Sequence, residues 1–197
     1  IIGADPSTLI RSCNVKRTLA FEPQERCDAQ WFEHTPEGVR EASATAYMFA
    51  RKLYEVLKVP VGIINVSWGG SRIEAWMKED LLRKDFAEID MSHIDSKVMP
   101  AVSPFKSASV LYNGMLYSVA PFTAKGFIWY QGCSNRHDPE QYVRLQPAFV
   151  QMLRQMWGSE DMGFYFTQIA PYQYPSDPTG RGGAEVMWAQ ARTLPLI

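Results

Sequence analysis

The 197-residue sequence has no excess of charge of either sign: 20 lysines and arginines stand against 21 aspartates and glutamates, for a formal net charge of -1. The basic residues are dispersed, so no positive surface is expected, and nucleic acid and anionic membranes are excluded as partners on that ground. No apolar run is long enough to span a bilayer. Residue 1 is neither Met nor the start of a charged-then-apolar leader, and the gene product is expected to begin upstream of it. Cys13, Cys27 and Cys133 and the three histidines, His34, His93 and His137, are scattered without metal-ligand spacing, so no structural zinc site or other metal centre is expected. Cys13 and Cys27 are free to pair in an exported protein, but nothing in the sequence brings them together. Internal repeats and low-complexity tracts are lacking too.

What is present fits one domain with a substantial core, since 46% of the residues are hydrophobic. Six Trp and nine Tyr contribute to a 13% aromatic content, which suits core packing or sugar-stacking platforms. Alternation around Leu9 to Val15 predicts a strand, and the polar, proline-containing sequence that follows to residue 41 reads as a long surface loop. Ala46, Phe49, Ala50, Leu53, Val56 and Leu57 recur at helical spacing behind Ser43, a plausible cap, and Pro60 stops the helix. Val61 to Ser67 then reads as a buried strand that breaks into Trp68-Gly69-Gly70-Ser71. Residues 77 to 107 read as a loop-rich excursion, and 110 to 119 as a bent helix or irregular segment.

Gly126 to Trp129 opens the most informative stretch, an apolar strand expected to be covered on both faces. It ends in Tyr130-Gln131-Gly132-Cys133-Ser134-Asn135. Pro139 to Trp157 is the clearest helix, with Tyr142, Leu145, Phe149, Met152, Leu153 and Met156 on one face and Pro147 expected to kink it. A strand over 164 to 170 and a helix over 185 to 194 complete the pattern. Strands alternating with helices predict an α/β fold with a parallel sheet and crossover connections.

Two strand ends thus carry the same chemistry. Paired glycines at 69 and 70 offer a tight turn or open backbone N-H groups, and Asn135 offers a side-chain amide. Uncharged donors at the carboxyl edge of a sheet are what an oxyanion hole requires. Ser67, Ser71 and Ser134 lie near these ends without a histidine or aspartate beside them. His137, at a helix start, reads as a polar surface residue. Cys133 is either an inert buried thiol or, with a base beside it, a nucleophile.

The segments Val59-Pro60-Val61-Gly62-Ile63-Ile64-Asn65, Trp68-Gly69-Gly70-Ser71-Arg72-Ile73-Glu74-Ala75-Trp76-Met77, Leu111-Tyr112-Asn113-Gly114-Met115 and Trp129-Tyr130-Gln131-Gly132-Cys133-Ser134-Asn135 resemble, in order, motifs of the sialate O-acetylesterase-like carbohydrate esterases of the SGNH hydrolase superfamily. The resemblance extends from Leu9 to Gln190. It implies a flavodoxin-like three-layer α/β/α fold and serine-dependent hydrolysis of acetyl esters on sugars through an acyl-enzyme, with an acetylated sugar as substrate and no metal or organic cofactor. It assigns the oxyanion donors to Gly70 and Asn135 and makes Trp68, Arg72 and Gln131 substrate-binding candidates. It also favours a periplasmic or secreted location.

Three departures accompany the resemblance. The family's Gly-Gln-Ser-Asn nucleophile motif does not occur, the segment expected after the last helix with its Asp-x-x-His motif lies outside the 197 residues, and Cys133 stands where the family usually has Glu. The chain is therefore expected to be an internal portion of one SGNH-type domain and inactive alone. Its missing nucleophile strand would lie between the strands at 9 to 15 and 61 to 67, leaving apolar edges without partners. A non-catalytic carbohydrate-binding or scaffold protein of the same fold is the alternative, followed by an acyltransferase that uses Cys133.

Overall fold

The computed structural model describes residues 9–172, 174–175 and 177–197. They form a mixed α/β chain of two compact units, one comprising residues up to 17 and 26–67, the other residues 18–25 and 68–197.

In the first unit, strand β1 (Ile10–Val15) lies between β2 (Ala29–Glu33), antiparallel, and β3 (Val61–Asn65), parallel. Helix α1 (Ala44–Leu57) starts where the Ser43 hydroxyl accepts the Ala46 N-H at 3.4 Å, a cap worth about 1 kcal/mol. It ends at Lys58 in left-handed conformation, two residues before Pro60. Ala46, Tyr47 and Ala50 form its buried face.

Three expectations are corrected here. The supposed loop contains β2, whose residues are exposed or half-exposed, so no apolar alternation marks it; backbone pairing to β1 and the Arg11–Glu33 ion pair hold it. The β3 strand is half-exposed rather than buried. And β1 and β3 pair directly, Ile10 opposite Val61 through Asn14 opposite Asn65, with no strand between them. All three cysteines are free, and burial pushes the Cys13 thiol pKa up.

In the second unit, parallel strands β4 (Gly126–Trp129) and β5 (Gly163–Phe166) are joined by α4 (Pro139–Trp157). Asp138 accepts the Gln141 N-H at 2.9 Å and Pro139 fills the first turn, so the start of α4 is doubly specified. The helix continues through Pro147, buries Tyr142, Leu145, Phe149 and Leu153, and ends at Gly158 with φ of 61°. Helix α5 (Arg181–Thr193) packs on α4. In β4, Gly126 and Ile128 are exposed, against the expectation of a strand covered on both faces; among the described residues its only strand partner is β5.

Residues 77 to 107 are not structureless, because they carry the short helices α2 (Glu79–Asp85) and α3 (Ser92–Ser96) and a 3-10 turn at Pro104–Lys106. Beyond them a wide π-type turn, Tyr112–Leu116, is wholly buried. Residues 18–25 run over it, donating the Ala20 N-H to the Val110 carbonyl at 3.3 Å and the Gln24 N-H to that of Asn113 at 2.8 Å. A Cβ at Gly114 would collide with the Thr18 carbonyl oxygen, which is why that position takes glycine.

Candidate active site

Residues 68 to 71 form a tight turn closed by the Ser71 N-H on the Trp68 carbonyl at 3.3 Å. Gly70 sits at φ +81°, a region side chains other than glycine occupy at a cost. The indole of Trp68 stacks on Phe105, with centroids 5.4 Å apart and planes inclined by 13°. The Phe105 ring also lies 3.5 Å from where a Gly70 Cβ would stand. Gly69 and Gly70 are exposed, and among the described residues their N-H groups meet no protein acceptor.

The end of β4 approaches this turn through a second glycine. Gly132 has φ +149°, and a Cβ there would lie 2.9 Å from Ile169 Cγ2 and 3.1 Å from Gln190 Nε2. The 3-10 turn Cys133–Asn135 follows, with the Asn135 N-H on the Gly132 carbonyl at 2.8 Å. Four hydrogen bonds fasten the two segments together. Ser134 Oγ donates to the Gly70 carbonyl at 2.7 Å, the Ile73 N-H to Asn135 Oδ1 at 3.1 Å, and Gln131 Nε2 to the Ser71 carbonyl at 3.0 Å. Asn135 Nδ2 donates to Glu74 Oε2 at 2.8 Å.

These bonds orient the Asn135 amide. Its oxygen accepts from two N-H groups, Ile73 and Gln131 Nε2 at 2.7 Å, so the nitrogen must face Glu74. One of the two Nδ2 hydrogens goes to Glu74, and the other meets no protein acceptor among the described residues. Glu74 belongs to a fully buried 3-10 turn, Ile73–Trp76, and is itself 5% exposed. Burial raises its pKa above the ordinary carboxyl value, while the Asn135 hydrogen bond and Arg72 pull the other way. The Arg72 guanidinium is 3.6 Å from Glu74 Oε1 and remains largely exposed.

The structure therefore joins Gln131 and Asn135 directly, links Arg72 to Asn135 through Glu74 and Gly70 to the same segment through Ser134, and puts Trp68 on Phe105. Gln131 spends its polar atoms internally: Nε2 as described, Oε1 accepting from the Tyr142 hydroxyl at 3.2 Å, and its backbone carbonyl accepting from Gln190 Nε2 at 2.9 Å. Gln190 in turn takes the Ile169 N-H at 2.9 Å. Glu74 and Phe105 were missed by the sequence reading. A lone carboxylate inside the apolar run Ile73 to Met77 was the available signal for Glu74.

Neither serine near the turn meets a histidine. Ser71 Oγ accepts from Trp76 Nε1 at 2.9 Å, and Ser134 Oγ is spent on Gly70. His137 is exposed, as a surface residue should be. An Asp-x-x-His spacing overlooked in the sequence does occur at Asp90–His93. There Asp90 accepts the Ser92 N-H at 2.9 Å and His93 is buried with Nε2 on the Ala108 carbonyl at 2.9 Å, so its ring is committed to packing. Cys133 is half-buried beside the Tyr174 hydroxyl, whose pKa is pushed up to about 12 chiefly by burial. Among the described residues no cluster of His, Cys, Asp and Glu could hold a metal ion. An open cleft of about 620 Å³ lies along β5 and the end of α5, lined by Phe164, Tyr165, Phe166 and Leu194, and no candidate site residue borders it.

Comparison with known proteins gives the chain's family. A carbohydrate acetylesterase from Xanthomonas citri matches in structure with a TM-score of 0.84 and 29% identity, over 99% of this chain and 42% of that one. The sialate O-acetylesterase of Pongo abelii is 30% identical over 196 residues, 92% of this chain, and that of Homo sapiens 30% identical over 175 residues, 83% of it. The chain spans 37% and 33% of those two relatives' lengths. Residues 5–185 match the family described as carbohydrate esterase, sialic acid-specific acetylesterase, and with both strand ends in hand the conclusion is direct: this chain belongs to the sialic acid-specific acetylesterase family of carbohydrate esterases.

Proposed function

We propose that these residues supply the oxyanion hole of a carbohydrate O-acetylesterase. The observation that carries this reading is the Asn135 amide, held by Ile73, Gln131 and Glu74 with one N-H left over, and tied through Ser134 to the open Gly70 turn. A serine oxygen bonds to the acetyl carbon as its proton passes to a histidine. The carbonyl oxygen becomes an anion that accepts from the Gly70 N-H and from Asn135 Nδ2. Collapse expels the sugar hydroxyl, which takes the proton from the histidine, and water then hydrolyses the acetyl-serine. The Gly-Gln-Ser-Asn nucleophile motif does not occur in residues 1–197, so the chain's own part is electrostatic: it binds the developing charge.

The aromatic pair Trp68 and Phe105 beside Gly70 gives an acetylated sugar an apolar face to lie on, and the exposed Arg72 guanidinium offers a polar contact at the same turn. Gln131 acts on substrate through Asn135, because its own amide is fully engaged. In this reading both units belong to a single esterase domain of three-layer α/β/α, flavodoxin-like architecture. The parallel pairs β1 with β3 and β4 with β5, and the α4 crossover, support it.

The test is hydrolysis of an aryl acetate and of O-acetylated sialic acid by the full-length gene product. Asn135→Ala is expected to lower kcat by on the order of a hundred-fold or more, the usual effect of losing one such donor. An Asn135→Ala variant as fast as the parent would overturn the assignment.

A further inference from the structure

Glu74 presents a physical problem. A carboxylate 5% exposed carries a large desolvation cost unless it is paired and hydrogen-bonded. Here the pairing is thin, with the Arg72 guanidinium at 3.6 Å and largely in solvent. Its short side-chain hydrogen bond is to Asn135 Nδ2 at 2.8 Å. The backbone around the carboxylate is fixed, since the Glu74 carbonyl accepts the Ser109 N-H at 3.0 Å and the Met77 N-H at 3.2 Å. The carboxylate is thus delivered to Asn135 by a rigid turn.

We propose that Glu74 is a positioning residue for acetyl-ester hydrolysis, which fixes the free N-H of Asn135 on the acetyl oxygen by holding its other N-H. The inference rests on the reading of Asn135 as an oxyanion donor. An amide's two N-H bonds lie in one plane, fanned apart, so a fixed acceptor for one sets the direction of the other. The Ile73 N-H and Gln131 restrain the oxygen side of the amide, and Glu74 is the only partner on its nitrogen side among the described residues. Donors aimed before the charge develops are worth most in the transition state, so loosening this one should affect kcat far more than KM.

The experiment compares Glu74→Gln, Glu74→Leu, Glu74→Ala, Asn135→Ala and the double variants in the full-length gene product, with circular dichroism and thermal melts to confirm folding. Gln keeps an acceptor oxygen for Asn135, while Leu fills the buried volume without one and Ala gives a second acceptor-less variant should Leu fit badly. The expected result is a fall in kcat on the order of ten- to a hundred-fold for Leu or Ala with KM changed less than about three-fold, and recovery of most of that loss in Gln. Added to Asn135→Ala, the same changes should lower kcat no further. If Asn135→Ala alone leaves kcat unchanged, the oxyanion reading fails. If Asn135→Ala is impaired but the two losses multiply, or if Gln is as slow as Leu and Ala, the positioning role of Glu74 is overturned while the oxyanion reading stands.

Discussion

Ile73 donates its backbone N-H to Asn135 Oδ1 at 3.1 Å, joining positions 62 residues apart in sequence. Because a backbone N-H can only donate, this bond decides which end of the Asn135 amide faces Glu74. Replacing that amide by a carboxylate should turn the contact with Glu74 from attraction to repulsion. Asn135→Asp sets two carboxylates against each other in a buried site, where like charges force a proton onto one of them. The melting temperature of Asn135→Asp, measured against the parent from about pH 5 to about pH 8, is expected to fall progressively as pH rises. A difference independent of pH would count against a repulsive contact.

Glu74 itself should leave a trace in the stability-pH curve. Burial raises its folded pKa above the unfolded value, so the folded state holds the proton more tightly. Its contribution is therefore fully present below the unfolded pKa and is lost as pH rises through the folded one. Glu74→Gln removes that loss. The difference in melting temperature between Glu74→Gln and the parent is expected to move in favour of Gln as pH rises above the ordinary carboxyl range, and thermal melts across that range would show the opposite trend if the carboxylate were stabilised by its contacts.

Gly132→Ala is expected to destabilise by about 1–3 kcal/mol, because the added Cβ must occupy φ +149° and press on Ile169 at 2.9 Å. Gly132 opens the turn that carries Asn135, so on the oxyanion reading the same variant of the full-length gene product should release acetate more slowly as well. Urea unfolding and an acetate-release assay read the two effects separately.

Cys133 and Ser134 are not expected to act as nucleophiles. Ser134→Ala loses a hydrogen bond to Gly70 worth about 0.5–1.5 kcal/mol and, on the proposed function, should slow acetyl release by the full-length gene product modestly through the turn it steadies. Complete loss of acetyl release in Ser134→Ala or Cys133→Ala would contradict this.

A last variant tests packing alone. Gln146 is fully buried in α4, and among the described residues neither its Nε2 nor its Oε1 has a hydrogen-bond partner. An unpaired buried amide costs about 1–3 kcal/mol, so Gln146→Met, similar in length and apolar, is expected to raise stability by about 1 kcal/mol in denaturant unfolding.

The elements that sequence made legible are those whose information is local. Helix α4 shows its apolar stripe, Pro139 in its first turn and Gly158 at its end, and α1 its Ser43 cap and the stop before Pro60. The glycines at 69, 70 and 132 and the amide at 135 marked the candidate site for the same reason: small and polar residues end apolar runs. What was not legible depends on distant partners. The β2 strand exists because β1, about twenty residues earlier, offers its edge, and its exposed side chains carry no period. The short helices between 77 and 107 owe their form to contacts such as the Lys78 N-H on Met152 Sδ, 74 residues away. Glu74 announced itself only as a charge out of place; its partner was invisible until the chain had folded.

Residues 18–25 leave one unit, cover the buried turn at 112–116 of the other, and return at residue 26. The order of synthesis is therefore not the order of assembly. The Ala20 and Gln24 N-H groups emerge some ninety residues before the Val110 and Asn113 carbonyls that receive them, a wait of roughly 5–20 s at ordinary rates of translation. During that interval the two N-H groups have no such acceptors, and the second unit cannot close until its earliest strip lies over the turn that supplies them.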